Sequence, residues 1–542
     1  MQMSAVSASG VANFMNKLFL IVAMLTCCGL AQAQGGGVPR FEIKRFEVVG
    51  NSLIKSDQVD AVLQPYTGPG KSFADIESAR QALLIAYQSA GYGAVQVVVP
   101  EQQVSAGVVK LEIQQAKVSS IKVGGNKFFS NENIRRSLPH LREGETPNTR
   151  DVAQDLRVAN ESPAKQVTVF FKSSEKAGAV EAAAQVSDEK PSKTFVSLDN
   201  TGNGETGYQR LGIGFQYSNL WDKDHVLTLQ YTTSPDHLSD VSIYGLGYHL
   251  PLYGYRSSLD VYGGYSDVNS GTVAGLFNVS GKGTVGGIRF NYYLDKHGDY
   301  EQKLGLSQDY RAFQQDYRPF QSNVDFSGTP LGFDVTVHPI SLTYSGQLRL
   351  ENSGQIGFFI GVSKNIAGGN DGGQAAFNLA RSGAKASYSV YRLGANLSYP
   401  FTSGWEVQAL FDSQYTPDAL VPGEQYGLGG LNSVRGFKER EISNDSGYRT
   451  SVELYSPNFA QVLKLDNSRL RALLFYDQGY VKSNKVLPGE VAAIGVASIG
   501  AGLRLGLGRN FNARFDYAYV LDGAPTRAAG EQRAHFSLVY VF

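Results

Sequence analysis

From residue 192 to the C-terminus the chain alternates apolar and polar positions. Leu211, Ile213, Phe215 and Tyr217 interleave with Gly212, Gly214 and Gln216, and Ala513, Phe515, Tyr517 and Tyr519 with Arg514 and Asp516. A period of two sends alternate side chains to opposite faces of a strand. Turn-rich breaks fall at 219–225, 251–255, 295–301, 351–355, 400–404, 457–468 and 507–510. Between them lie paired runs of roughly ten residues, the length of a tilted strand crossing a bilayer. Seven breaks separate eight hairpins, which predicts sixteen antiparallel strands. With one face aromatic and apolar and the other polar, such a sheet closes into a barrel in lipid, where every backbone group pairs with a neighbour. A soluble β-sandwich alternates in the same way and is the competing reading of the pattern.

Ahead of this region two similar units follow one another. The first opens with a strand over Phe41–Val49, closed by Gly50-Asn51. Ser56–Leu63 is helix-compatible, and Ser72-Phe73-Ala74-Asp75 caps an amphipathic helix running to Ala90 and stopped by Gly91. Strands at Ala94–Val99 and Gly107–Gln114 complete the order β-α-α-β-β. The second unit repeats it: strand Lys117–Val123, helices Asn131–Leu138 and Thr149–Ala159, strands Gln166–Phe171 and Ala179–Val186. Repetition of a whole order outweighs any single element.

At the N-terminus Lys17 precedes the apolar run Leu18–Leu25, which leads to the small-residue site Ala31-Gln32-Ala33. This reads as a secretory signal peptide over residues 1–33, followed by a short linker, 34–40. The domains expected after it are 41–116, 117–191 and the barrel, 192–542. The only two cysteines, Cys27 and Cys28, lie inside the signal; a lipoprotein site there is the other reading of that stretch. The mature chain then has neither disulfide nor thiolate chemistry. Lys+Arg and Asp+Glu are both 49, so the basic excess of a nucleic-acid binder is missing and no nucleic-acid partner is expected. Tyr (30), Phe (29) and Gly (61) fit aromatic strands and tight turns, not helical bundles.

One charge stands out. Arg435, in Val434-Arg435-Gly436-Phe437, closes a Gly-rich loop, Gly427-Leu428-Gly429-Gly430-Leu431-Asn432-Ser433. Further on, Phe475-Tyr476-Asp477-Gln478-Gly479 places a carboxylate inside a strand-like run. If Ala472, Leu474 and Tyr476 meet lipid, then Phe475, Asp477 and Gly479 face the lumen by parity. A buried carboxylate there needs a cation, and Arg435 offers a bidentate one.

The two β-α-α-β-β units are similar to POTRA (polypeptide-transport-associated) domains. Together with Gly423-Glu424-Gln425-Tyr426-Gly427-Leu428-Gly429-Gly430 running into the Arg435 motif, and with Phe475-x-Asp477-x-Gly479, they resemble the two-partner secretion transporters. These are the TpsB family, the ShlB/FhaC/HecB-like haemolysin secretion/activation proteins. The resemblance implies a membrane all-β barrel of sixteen antiparallel strands behind two periplasmic α+β POTRA domains in a Gram-negative outer membrane. It implies ATP-independent export of a large secreted TpsA-type exoprotein, an adhesin or haemolysin, captured by the POTRA domains and passed through the barrel. No enzyme activity, cofactor or metal goes with it; outer-membrane lipid and the barrel-assembly machinery are the other partners. It implies that the Arg435 loop folds back into the barrel and pairs with Asp477, with Phe437, Phe475 and Gly479 shaping the contact. A moving latch and a static brace needed only for folding both remain open. The last strand, with Phe536, Leu538, Tyr540 and Phe542, resembles the signal read by the assembly machinery, or is simply a final hydrophobic strand. An assembly factor of the same superfamily and a passive porin are the alternatives. Relatives can carry an N-terminal plug helix; residues 34–40 are too few for a helix and linker, which leaves pore closure to the Arg435 loop, alone or with other loops.

Other features carry less. Gly281-Lys282-Gly283-Thr284-Val285-Gly286 matches GxGxxG but lacks a strand–helix setting, and is expected on a surface loop. The histidines, at 140, 225, 237, 249, 297, 338 and 535, show no ligand spacing. Glu453 and Asp516 are expected to line a wet lumen. Client binding by strand addition has two candidate edges, Val95–Val99 and Gln166–Phe171.

Overall fold

The computed structural model describes residues 39–542 apart from 105, 205, 239–240, 268–270, 274–276, 280–281, 315–333 and 489–490. The expected signal peptide and most of the linker lie outside the described residues. Among the described residues, 39–90 with Val95–Gln115 form one compact unit, and Gly91–Ala94 with Ala116–Phe542 form the other.

In the first unit β1 (Phe41–Ile43) and β2 (Arg45–Val49) are followed by α1 (Ser56–Leu63), β3 (Gly68–Lys71), α2 (Phe73–Ser89), β4 (Val95–Val98) and β5 (Val108–Gln115). The single opening strand expected from sequence is broken at Lys44, because Lys44 and Arg45 both donate to Gly107 O. That bend lets β1 pair with β3 while β2 pairs in parallel with β5. Helix α2 starts where its cap predicts: the Asp75 carboxylate accepts from the Ser72 amide and hydroxyl, each at 2.8 Å. The Ser72 hydrogen bonds hold that carboxyl below the usual range. The sheet order β2-β5-β4 leaves β4 at an edge.

The second β-α-α-β-β set comprises β6 (Lys117–Gly124), α3 (Asn131–Arg136), α4 (Thr149–Ala159), β7 (Lys165–Ser173) and β8 (Ala179–Asp188). Helix α3 stops two residues earlier than expected, where the Ser137 hydroxyl turns back onto Ile134 O. The order is β6-β8-β7, so β7 is an edge.

Sixteen strands then close a barrel. The first six are β9 (Ser192–Asp199), β10 (Arg210–Leu220), β11 (His225–Thr233), β12 (Ile243–Leu252), β13 (Ser257–Ser266) and β14 (Lys282–Tyr293). Next come β15 (Tyr300–Gln314), β16 (Pro339–Arg349, prolonged by Val335–Val337), β17 (Gln355–Asn365), β18 (Ser389–Pro400) and β19 (Glu406–Tyr415). The last five are β20 (Ser446–Tyr455), β21 (Ser468–Lys482), β22 (Ala493–Leu507), β23 (Phe511–Asp522) and β24 (Gln532–Val541). All seven turn-rich breaks link neighbouring strands at one rim. Closure is made by β24 on β9, with Leu538 opposite Leu198. Residues 282–286 are a correction: they open β14, paired with β13 and β15, and are no surface loop. Thr284 and Val285 alternate in and out there, while the glycines weaken the sequence signal for a strand.

At the rim of the short turns the second unit is anchored through buried and charged contacts. Lys165, at the start of β7, is 0% exposed and donates to Asp224 at 2.6 Å and to Asn133 at 2.7 Å. Burial pushes its ammonium down, and Asp224 opposes that. Arg256 pairs with Asp151 at 2.6 Å, and Arg157 donates to Leu294 O at 3.0 Å. At the other rim, α5 (Gln374–Ala380) was not evident from sequence. Its Phe377 packs with Val335, Val337, Tyr388, Leu420 and Val421. Arg381, just beyond it, reaches buried Asp445 at 2.6 Å.

Candidate functional site

The chain between β19 and β20 turns inward. Within it Tyr426–Leu428 pairs with Ile442–Asn444 as a small antiparallel hairpin, and the segment between carries the arginine motif. Two positions need glycine: a Cβ on Gly429 would stand 2.4 Å from Lys438 O, and one on Gly436 3.1 Å from Val520, both at positive φ.

The side chain of Arg435 is 2% exposed and meets strand faces from several directions. Its Nε and a terminal nitrogen bind the two Asp477 oxygens at 2.7 and 2.8 Å, a bidentate fork. The other terminal nitrogen reaches Glu453 at 2.6 Å. Ser451 lies 3.3 Å away and itself donates to Asp477 at 2.7 Å. The Arg435 backbone amide adds a further bond to Asp477 at 3.1 Å. The guanidinium sits 3.5 Å over the Phe475 ring, a cation–π contact at a buried position.

Every residue of the two motifs is engaged. Val434 and Phe437, both 0% exposed, pack with Leu428, Ile442, Val481, Val496 and Val520. Gly479 makes room for them, since a Cβ there would stand 2.7 Å from Leu428 and 3.1 Å from Val434. Parity on β21 holds as expected: Phe475, Asp477 and Gly479 are buried, whereas Leu474 and Tyr476 are exposed on the other face.

Several participants escaped the sequence reading. Glu453 is an ion-pair partner of Arg435, and Asp516 is 0% exposed at 3.6 Å from it, so neither simply lines a wet lumen. Asp516 also takes Arg504 at 2.8 Å and Arg514 at 2.6 Å. Arg514 continues to the loop, donating to Leu431 O at 2.8 Å and Asn432 Oδ1 at 3.0 Å. His535, read as one of the scattered histidines, accepts the Gly436 N–H at 3.0 Å through Nε2. Register brings them together once the strands pair, with Ser451 opposite Asp477 and Glu453 opposite Phe475 on the adjacent strand, and no pattern within a single strand marks them. The C-terminal set lies elsewhere. Phe536 and Leu538 are half-buried and Tyr540 and Phe542 exposed, on the face away from His535. The Tyr540 and Phe542 rings stack edge-on at 4.7 Å, and the Phe542 amide bonds Thr194 O at 2.8 Å.

This loop-in-barrel arrangement coincides with a family match. The family described as "Haemolysin secretion/activation protein ShlB/FhaC/HecB" matches residues 182–505. The chain belongs to this family. A second model, "POTRA domain, ShlB-type", matches residues 41–115. As a ShlB/FhaC/HecB family member the chain is a two-partner secretion transporter with a POTRA domain and a closed sixteen-stranded barrel. It is similar to the Heme/hemopexin transporter protein HuxB of Haemophilus influenzae, 23% identical over 505 residues, covering 89% of this chain and 84% of that one. Outer membrane transporter CdiB of Escherichia coli O6:K15:H31 is 23% identical over 470 residues, covering 82% and 74%. Among solved structures, CdiB from Escherichia coli superimposes with a TM-score of 0.74 at 19% identity, covering 100% of both chains. CdiB from Acinetobacter baumannii gives 0.69 at 17%, again over 100% of both. At such identities these structures establish the fold alone.

Proposed function

We propose that this chain exports one large secreted polypeptide, of the TpsA adhesin or haemolysin class, from periplasm to cell surface without ATP. The two β-α-α-β-β units, 41–116 and 117–191, hold the unfolded client by adding it as a strand to an open sheet edge. The barrel, 192–542, is the pore, and folding of the client outside biases its net movement outward. Phe536, Leu538, Tyr540 and Phe542 serve insertion by the barrel-assembly machinery, and the aromatic outer face meets outer-membrane lipid. The chain carries a polypeptide and catalyses no reaction. One observation supports the reading most: Arg435, at the tip of a chain segment folded into the lumen, is held by Asp477 and Glu453 from two neighbouring strands. A passive pore has no use for such an obstruction; a gated one does. The Arg435–Asp477 pair is the latch of that gate.

The test is the culture supernatant of cells with and without this chain. One missing large polypeptide is expected, and deletion of residues 41–116 should abolish its release while the barrel still inserts. An unchanged supernatant would overturn the proposal, and loss of many unrelated outer-membrane barrels would point to assembly instead.

A further inference from the structure

The Arg435 loop is not alone inside the barrel. On β15 Leu306 and Tyr310 are exposed on the outer face, so by parity Arg311 and Phe313 point into the lumen. Val337 and Val335, opposite Arg311 and Phe313, face the same way. On β18 Tyr391 and Leu393 are outside, so Val390 is inside. Phe377 of α5 is fully buried in one cluster with Phe313, Val335, Val337 and Val390. Leu420 and Val421, from the chain between β19 and β20, complete that cluster. The connection from β17 to β18 is therefore folded into the mouth of the barrel, at the rim opposite the seven short turns.

One side chain stitches this connection to its neighbours. Buried Arg381, just beyond α5, donates to Asp445 at 2.6 Å and to Leu420 O at 3.0 Å. Its other terminal nitrogen donates to Ser483 and to Lys485 O, both at 2.9 Å. Asp445, fully buried immediately before β20, also accepts the Leu420 amide at 2.9 Å and the Asn484 amide at 2.8 Å. Arg381 thus fastens α5 to the root of the inward loop and to the β21–β22 connection. On the other root, Glu424 is held by inward Arg311 at 2.8 Å. None of these four Arg381 partners belongs to the Arg435 set, which grips the middle of the same loop. We propose that Arg381 is a positioning residue for export. It holds α5 in the mouth as a second closure, in series with the Arg435 latch, and α5 parts from Leu420 and Val421 when the polypeptide leaves. The proposal rests on the export reading and adds a gate to it. Phe377, Tyr388, Leu420 and Val421 are fully buried, so nothing as wide as a polypeptide passes between them until they separate. Separation is feasible because α5 adds no strand to the barrel wall, and it swings without unpairing the sheet.

Two measurements in cells test it. Two closures in series leak only when both are released, and sensitivity to vancomycin reads the leak. Arg381→Ala and Arg435→Ala should each leave the inhibitory concentration within twofold of the parent, whereas the double variant lowers it at least eightfold. A single variant as sensitive as the double one, or a double variant no more sensitive than the parent, would overturn the series arrangement. The second measurement locks α5 in place. Lys385, beyond α5, and Asp418, in the chain after β19, pair at 2.8 Å across the same seam. The cysteines of the sequence are confined to positions 27 and 28, so a Lys385→Cys/Asp418→Cys variant carries one thiol pair after the expected cleavage site. Oxidised to the disulfide, it should release at least tenfold less polypeptide than when reduced, and dithiothreitol should restore release. Undiminished release despite full cross-linking would overturn the second closure while leaving export intact. A supernatant indifferent to the presence of the chain would instead overturn the export reading itself. Heat-dependent gel mobility shows that each barrel stays folded, and only folded variants are scored.

Discussion

Removing the guanidinium of Arg435 tests whether the loop is held by it. In Arg435→Ala buried Asp477 and half-buried Glu453 lose their cation, and breaking one partner of a buried pair costs about 3–5 kcal/mol. The local geometry sets the lower end of that range. Asp477 would keep the Ser451 hydroxyl at 2.7 Å and the backbone amide of residue 435 at 3.1 Å. Glu453 would keep the Tyr455 hydroxyl at 2.7 Å, with Arg504 at 4.0 Å. About 3 kcal/mol, at 1.4 kcal/mol per tenfold, is roughly a hundredfold shift from docked to open loop. Val434→Cys reports it, because Val434 is 0% exposed when docked and the chain beyond residue 33 is free of other thiols. Labelling by a water-soluble maleimide should be about a hundredfold faster in V434C/R435A than in V434C alone. Lysine at 435 should fall between, since an ammonium cannot make the two-pronged contact. Labelling within a few-fold of the parent, in barrels shown to be folded, would refute the argument.

Other outcomes follow from neighbouring contacts. Gly479→Val drives a side chain into Leu428 and Val434 at contacts already as short as 2.7 Å, so it should free the loop with every charge in place. Overpacking costs about 1–3 kcal/mol, and the same thiol labelling would detect it. His535→Ala orphans the buried Gly436 N–H, a loss of about 1–3 kcal/mol, and faster labelling is expected; an unchanged rate would remove His535 from the docking set. Lys165→Met leaves Asp224 with the Tyr253 hydroxyl alone and should loosen the second β-α-α-β-β set from the rim. Spin labels at exposed Lys176 and Glu351 should then give a broader distance distribution, and an unaltered one would show that the remaining anchors suffice.

Strand number, the seven rim turns and most helix starts were legible because they depend on local rules. Period-two alternation is imposed by lipid on one side and water on the other, and Ser72 with Asp75 specifies a cap within four residues. Parity likewise fixed which face of β21 carries Asp477. The sequence by itself therefore determined a sixteen-strand barrel behind β-α-α-β-β units, and a lumen carboxylate in want of a cation. It missed the break at Lys44 and the strand character of residues 282–286, since both are set by pairing partners distant in sequence. Only the tertiary structure decided that Arg435 is shared between Asp477 and Glu453, with Asp516 and His535 closing around the loop. Those groups come from β20, β21, β23 and β24, and their convergence depends on inter-strand register, which no single strand's pattern encodes.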